Sequence, residues 1–507
     1  GLARKRISYL LLVAPLFILV ALVQLDPYLG PLSLRRAAAL IAPQQDLLYW
    51  GAFTTNSLLH AIGFFLIALT FLLVVLPFVP VGQLVARLLS SGQPIKAYSV
   101  NIAGSLIGLW LYSLVSFLWL PPAAWFGLPL VMSAWLLRSK RMAFWSGLSV
   151  SLGMIALLVV PSQPGKVYWS PYQKLVLTTR QDARGVQFHH IDVNNTFYQT
   201  MENGDQRLEH HRFPYLFVSN PKRVLLVGAG AGNDAAEALR HGASQVDAVD
   251  IDPVILTIGK AFHPDRPYDS NRVTRILNDA RAYFKRAKEN YDVIVYARLD
   301  SHTLLSGFTN VRLDHYVYTR ESFEEAKRLL APDGVLVMSF VSQEPWIRER
   351  LAQTLKSVFG QDPVHLSPFS LVVGSQERIE AALAKHPDLA ARISPLLAPS
   401  GVRLTSDDWP YLYLKEPKVP SLHLVMSVFV IAMVCLLLRG SGLSIGKIEW
   451  HFFFLGAAFL LLEFQGVSRF ALLFGTTWLV NTIVISAFLA MILAANWYVQ
   501  RTEIRSL

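Results

Sequence analysis

Three glycines and two aspartates carry the first chemical signal in this chain. Gly228, Gly230 and Gly232 alternate in RVLLVGAGAGNDAAEALR, directly after an apolar run and directly before a helical pattern. Glycines at such a turn let a ligand approach the main chain, or serve only to let strand and helix pack closely. Asp250 ends the next apolar run, QVDAVDI, about 20 residues further on, where a carboxylate can accept from both hydroxyls of a ribose. Asp279 ends a third run in RILNDARAYF. There it can accept from the exocyclic amine of an adenine or, more plainly, cap the helix that follows. Three such loops in register point to a nucleoside pocket.

Charge narrows the nucleoside. A dinucleotide site wants G-x-G-x-x-G and sets a pyrophosphate on the helix N-terminus. Asn233 and Asp234 occupy that turn here, and a carboxylate repels phosphate. A cofactor with a cationic sulfonium and no phosphate, S-adenosylmethionine, fits better.

These residues need a sheet to hold them. From Arg223 onward the apolar runs RVLLVGA, QVDAVDI, VTRIL, YDVIVYA and GVLVMSF alternate with helical stretches. That alternation predicts a doubly wound, mostly parallel sheet, closed by a late strand in HLSPFSLVVGS. Ahead of it KLVLTT, VQFHHIDV and TFYQTM, separated by DARG and ENGD, predict a small β-hairpin region.

Around this block the chain is apolar. Of its 507 residues 53% are hydrophobic and only 16% charged, with a mean hydropathy of +0.38, which excludes an ordinary soluble protein. Stretches of crossing length read as Tyr9–Leu25, Leu58–Pro80, Ala97–Leu120, Pro122–Leu137 and Met142–Val160 before the block. Leu422–Leu438, Trp450–Phe470 and Thr477–Val499 follow it. Pro31–Tyr49 holds Arg35, Arg36 and Asp46 and reads as an interfacial amphipathic helix. The fold class is therefore a multi-pass α-helical membrane protein with an inserted α/β Rossmann-like soluble domain. Its parts are residues 1–160 (transmembrane), 166–220 (β-hairpins), 221–415 (Rossmann-like) and 420–507 (transmembrane).

Composition also removes several function classes. The net charge of +11 comes largely from span-flanking cations such as ARKR at Ala3–Arg6 and RSKR at Arg138–Arg141, so nucleic acid is not an expected partner. The single cysteine, Cys435, lies in an apolar run and rules out an internal disulfide. His189–His190 and His210–His211 lack a cysteine or carboxylate cluster to complete a metal site, and no metal is expected. Glu463, an acid within a crossing, should face the bundle interior, in a functional or a structural bond. Gly104 and Gly108 are spaced for close helix contact. The opening residues show no cleavable leader, as a trimmed chain would.

The order and spacing of VLLVGAGAG, VDAVDIDPVI, NDARAYF, YDVIVYA, YTRESFEEAKRLLAPDGVLV and TSDDWPYLYL resemble the polyamine aminopropyltransferases, the spermidine synthases. The likeness runs from about Ser170 to Leu414 and is strongest to bacterial relatives fused to transmembrane segments. It implies cofactor contacts at Gln173, Gly228, Gly230, Gly232, Asp250 and Asp279. It implies acceptor contacts at Tyr198, Gln199, His211, Tyr215, Arg312 and Tyr316. Two positions depart from the family. Ala231 stands where an Asp helps hold the aminopropyl end of decarboxylated S-adenosylmethionine, a loss that weakens the hold on an amine and admits the carboxylate of intact S-adenosylmethionine. Ala297 stands where the family has the acid that takes up the amine proton, leaving Asp300 and His302 as catalytic candidates in the same loop, although His302 could equally make a structural bond.

The expected function is a membrane-anchored transferase that modifies an amine or a membrane-associated, lipid-linked acceptor. The other reading is a catalytically degenerate domain serving as a structural or sensory subunit of a membrane complex. Expected partners are the lipid bilayer and that acceptor, with a homo-oligomer or larger assembly compatible. The expected location is the bacterial inner (plasma) membrane. Counting cations at span ends puts Arg4, Lys5, Arg6, Arg87, Lys96, Arg138, Lys140, Arg141, Arg439, Lys447, Arg501 and Arg505 on one side, against Arg35 and Arg36 on the other. The positive-inside rule then sets the soluble domain outside, whereas cofactor supply favours the cytoplasm.

Overall fold

The computed structural model describes residues 9–28, 57–90, 93–137, 141–160, 164–181, 185–204, 208–299, 315–342, 344–366, 370–395, 401–419, 421–440 and 449–502. Among the described residues six α-helices come first: α1 (Tyr9–Leu25), α2 (Ser57–Val75), α3 (Phe78–Ser90), α4 (Pro94–Phe117), α5 (Pro122–Leu137) and α6 (Arg141–Val159). Among the described residues four stretches are long and apolar enough to cross a membrane: Ala61–Ser90, Pro94–Phe117, Trp450–Phe474 and Trp478–Arg501. The other expected crossings are shorter apolar helices. The expected span Leu58–Pro80 is corrected: the helix stops at Val75 and restarts at Phe78, because Pro77 has no N–H to continue the ladder, and it then runs on to Ser90. The expected interfacial helix Pro31–Tyr49 lies outside the described residues.

Next come the antiparallel strands β1 (Lys166–Trp169), β2 (Lys174–Gln181), β3 (Gln187–Val193) and β4 (Thr196–Met201), paired in that order. A short helix, α7 (Phe213–Phe217), leads into the main sheet. Its elements are β5 (Arg223–Val227), α8 (Asn233–Arg240), β6 (Gln245–Asp250), α9 (Pro253–Phe262), β7 (Val273–Leu277), α10 (Ala280–Arg286) and β8 (Tyr291–Ala297). Then follow α11 (Arg320–Leu329), β9 (Leu330–Ser339), α12 (Pro345–Phe359), β10 (Val364–Leu366), β11 (Ser370–Gly374) and α13 (Gln376–Lys385). The strand order is β10-β11-β9-β8-β5-β6-β7, with β5 to β9 parallel, β11 antiparallel to β9, and β10 antiparallel to β11.

The chain steps outward from β5 through β6 to β7, then returns to β8 on the other side of β5. That reversal opens a crevice beyond the carboxyl ends of β5 and β8. Strands such as β5 are apolar without alternation because both faces are covered. Phe284, Tyr296, Phe323 and Leu351 pack on one face, and Phe217, Leu226, Val295 and Val372 on the other. The small antiparallel sheet sets Leu175, Leu177, Ile191 and Met201 against Val254, Ile255 and Ile258 of α9, and against Ala231.

Three more helices follow among the described residues: α14 (Ser421–Gly440), α15 (Trp450–Phe474) and α16 (Trp478–Arg501). Fully buried Arg350 fastens the segment leading into α14 by donating to the carbonyls of Arg403, Tyr411, Leu412, Leu414 and Lys415, between the rings of Trp346 and Trp409. α4 and α16 run antiparallel, joined by Ser113 to Thr482 at 3.1 Å and by Gln500 to Ser99 at 3.3 Å. α1 and α6 run parallel, with Gln24 bonded to the Leu157 carbonyl at 3.3 Å. Trp125, in the first turn of α5, packs on Trp169 of β1. The soluble domain therefore meets the carboxyl ends of α1, α4 and α6, the amino ends of α5 and α14, and the α15–α16 turn. Half-buried Glu463 lies on the face of α15 that meets α16, between Phe459 and Gly466, both against Phe488. The close helix contact expected at Gly104 and Gly108 is not made among the described residues, where a Cβ at either would have no neighbour within 4 Å.

Candidate functional site

The glycine loop is held from behind by its own domain. Gly228 N and Ala229 N both donate to the Val249 carbonyl at 3.0 Å, tying the loop to β6. Asp250, at the end of β6, accepts from Gly230 N at 2.8 Å on one oxygen and from Asp252 N at 2.9 Å on the other. Burial penalises its charge and these amides partly offset that, so its pKa is pushed up to about 6. Gly230 is left-handed at φ +55°, and a Cβ there would stand 2.8 Å from Gln199 Oε1. Any other residue would be strained at this backbone angle and crowd that amide.

Asp252 is a site residue that the motif reading passes over. It caps α9, accepting from Val254 N at 2.9 Å with Pro253 at the first helical position. Its second oxygen accepts from Ser170 Oγ at 2.8 Å and from Gln173 Nε2 at 2.9 Å. It thereby fixes the SPYQ turn beside the pocket, and burial holds its pKa above the usual carboxylate range. The Asp-Pro pair is the sequence signal that could have found it. Tyr268 had no such signal: its hydroxyl donates to the Gly230 carbonyl at 2.8 Å and braces the loop.

Asp279 does cap a helix: Oδ1 accepts from Ala282 N at 3.0 Å. Its Oδ2 is taken by the α15–α16 turn, accepting from Thr476 Oγ1 at 2.8 Å and Thr476 N at 3.2 Å. Tyr172 completes this corner, its phenol bonded to the Trp478 backbone and pushed well above its usual pKa by burial beside Asp252 and Asp279.

The residues expected on the acceptor side divide. Gln199 accepts from Ala231 N at 3.4 Å, which leaves its Nε2 buried and unpartnered. Such a donor is costly to bury and suits a ligand acceptor. Tyr198 packs with the β-hairpin core beside Ala231. His211 is buried and held by Asp234 in α8, with Nδ1 to Oδ1 at 2.7 Å. Tyr215 is corrected: it is 2% exposed, stacked on His241 at the far end of α8, and belongs to the core because its ring fills the layer under β5. Tyr316 lies half-buried beside Asp407 and Tyr411. Asp407 in turn bonds Arg281 at 2.9 Å and Thr319 at 2.8 Å, joining the TSDDWPYLYL segment to α10 and α11. Ala297 ends β8, while Asp300, His302 and Arg312 lie outside the described residues. Among the described residues no group of three His, Cys, Asp or Glu could hold a metal ion.

A buried carboxylate at the end of β6, an open glycine loop and an unpartnered amide donor fit a nucleoside with an acidic tail. The spermine/spermidine synthase domain family matches residues 207–373. A polyamine aminopropyltransferase of Vibrio vulnificus is 32% identical over 204 residues, 38% of this chain and 64% of that protein. Putrescine N-methyltransferase 2 of Nicotiana attenuata is 28% identical over 186 residues, 34% of this chain and 47% of that protein. The spermidine synthase of Thermotoga maritima, a solved structure, aligns at 17% identity and TM-score 0.33 over 48% of this chain and 81% of that one. The chain thus spans 64% or less of the length of these two curated relatives.

Proposed function

We propose that residues 207–373, which match the spermine/spermidine synthase domain family, belong to a domain that binds S-adenosylmethionine and transfers an alkyl group to an amine or a membrane-associated acceptor. The observation that carries the choice of cofactor is Gln199. Its buried Nε2 lacks an acceptor, and its neighbour is Ala231 rather than an acid. A carboxylate tail would satisfy that donor, and an ammonium tail would not.

In this reading Asp250 accepts from the ribose hydroxyls, Asp279 from the adenine amine, and Gln173, set by Asp252, walls the sugar. The bound sulfonium supplies the leaving group and its charge. The protein's share is orientation: the braced glycine loop and the β-hairpin sheet hold the two reactants in line. An amine nucleophile must lose a proton, which Ala297 cannot take; Asp300 or His302 receives it. Tyr198, His211, Arg312 and Tyr316 are proposed to contact the acceptor.

The proposed location is the bacterial plasma membrane. Arg87, Lys96, Arg439 and Arg501 lie at helix ends opposite the soluble domain, which favours an outward-facing domain. Labelling of Lys418→Cys in intact cells by a membrane-impermeant maleimide tests this, since the only native cysteine is Cys435 within α14. Protection of the new thiol would put the domain inside.

Calorimetric titration of the detergent-purified chain with S-adenosylmethionine and with its decarboxylated form tests the cofactor. Tighter binding of the intact form, lost in Asp250→Ala, is expected. Failure to bind either would sink the transferase reading in favour of a non-catalytic membrane subunit, the reading that Ala297 favours.

A further inference from the structure

We propose that the turn joining α15 and α16 is a latch on the nucleoside pocket, in which Thr476 holds the Asp279 oxygen that an adenine amine would otherwise take. The inference rests on the nucleoside reading of Asp279 and adds a competitor for it from the membrane region. A carboxylate oxygen offers about two acceptor positions. Oδ2 of Asp279 spends both on Thr476, through Oγ1 at 2.8 Å and N at 3.2 Å, while Oδ1 serves the helix cap.

The approach is close because Gly475 permits it. That residue sits at φ +95°, and a Cβ there would overlap the Asp279 side chain. Two further ties seat the same turn: Lys285 Nζ donates to the Leu472 carbonyl, and the Tyr172 phenol meets the Trp478 backbone. Thr477 caps α16, so the turn is the rigid end of a helical hairpin rather than a loose loop.

The chemistry favours exchange. The donors on Asp279 are neutral: two backbone amides and a hydroxyl. An adenine N–H is also a neutral donor, so its replacement of one of the two Thr476 donors trades one bond for another of similar strength. A salt bridge at the same place would resist that trade. Binding therefore has to lift the turn or loosen its grip, and a shift of the α15–α16 hairpin changes how open the pocket is.

The test uses the full-length protein in detergent, titrated with S-adenosylmethionine, adenosine and purine riboside, which lacks the exocyclic amine. Thr476→Val keeps the shape and removes the hydroxyl; Gly475→Ala pushes the turn off Asp279. Both are expected to bind S-adenosylmethionine about tenfold more tightly than wild type, the scale of one hydrogen bond to a charged group. Both should also raise the preference for adenosine over purine riboside, a change that general loosening of the fold would not produce. If wild type binds and the variants bind equally or more weakly, the turn is a fixed wall and the latch is wrong. If wild type and variants all fail to bind, the nucleoside reading falls and takes the latch with it.

Discussion

Asp250 and Asp279 end adjacent parallel strands and are both buried, yet they are held in different ways. Asp250 is satisfied by backbone amides of its own loops, Gly230 and Asp252, within 20 residues of it. Asp279 is satisfied half by its own helix and half by Thr476, a residue 197 positions away in the membrane region. One end of the pocket is therefore built by local folding, and the other only by docking of two regions. The first should be rigid and the second adjustable.

The largest expected effect is on the local end. Asp250→Ala strands two buried N–H groups and removes the ribose acceptor, so nucleoside binding should fall by about 100-fold or more, with a lower melting temperature. Equal retention of binding by calorimetry would show that the two carboxylates do not differ in this way. At the docked end Asp279→Ala loses a cap, about 1 kcal/mol, and should weaken binding by roughly tenfold. In that background Thr476→Val should do nothing more, and a double-mutant cycle that came out additive would break the coupling.

A pH series sharpens the comparison. Burial raises the Asp250 pKa to about 6, above its unfolded value. Its protonated form is thus favoured in the fold, and the associated stability is complete below about pH 4 and lost as pH rises through about 6. Ribose binding needs the ionised form, so affinity should drop as pH falls through about 6 while the fold does not. Melting and titration between pH 4.5 and 7.5 check both signs, and Asp250→Asn should flatten the first. The smallest effect is expected from Gln199→Ala: a several-fold loss for S-adenosylmethionine and little change for the decarboxylated form, read as a ratio of dissociation constants.

Much of this was legible in the residues. Apolar runs ending in glycine or aspartate gave the parallel sheet, because a strand covered on both faces has no polar alternation to confuse it. The apolar helices were legible from length and apolarity, apart from the break at Pro77, whose missing N–H was in plain sight. The Asp279 cap was visible as the plainer alternative. What could not be read were contacts set by packing between distant segments: Thr476 on Asp279, Tyr268 on the glycine loop, and Arg350 on five carbonyls. Tyr215 misled for the same reason, since an aromatic near a pocket in sequence can point into the core, as its stacking on His241 shows.

The fastening of Asp279 by Thr476 also sets an order of events during synthesis. The ribosome completes the sheet, with Asp279 capping α10, long before it makes α15 and α16. Until the α15–α16 hairpin docks, the pocket has one fewer wall and an unengaged carboxylate oxygen. A nascent chain truncated before Trp450 should therefore hold a complete glycine loop and an unlatched base site, so the docking of α15 and α16 is the step at which the pocket first acquires its closed state.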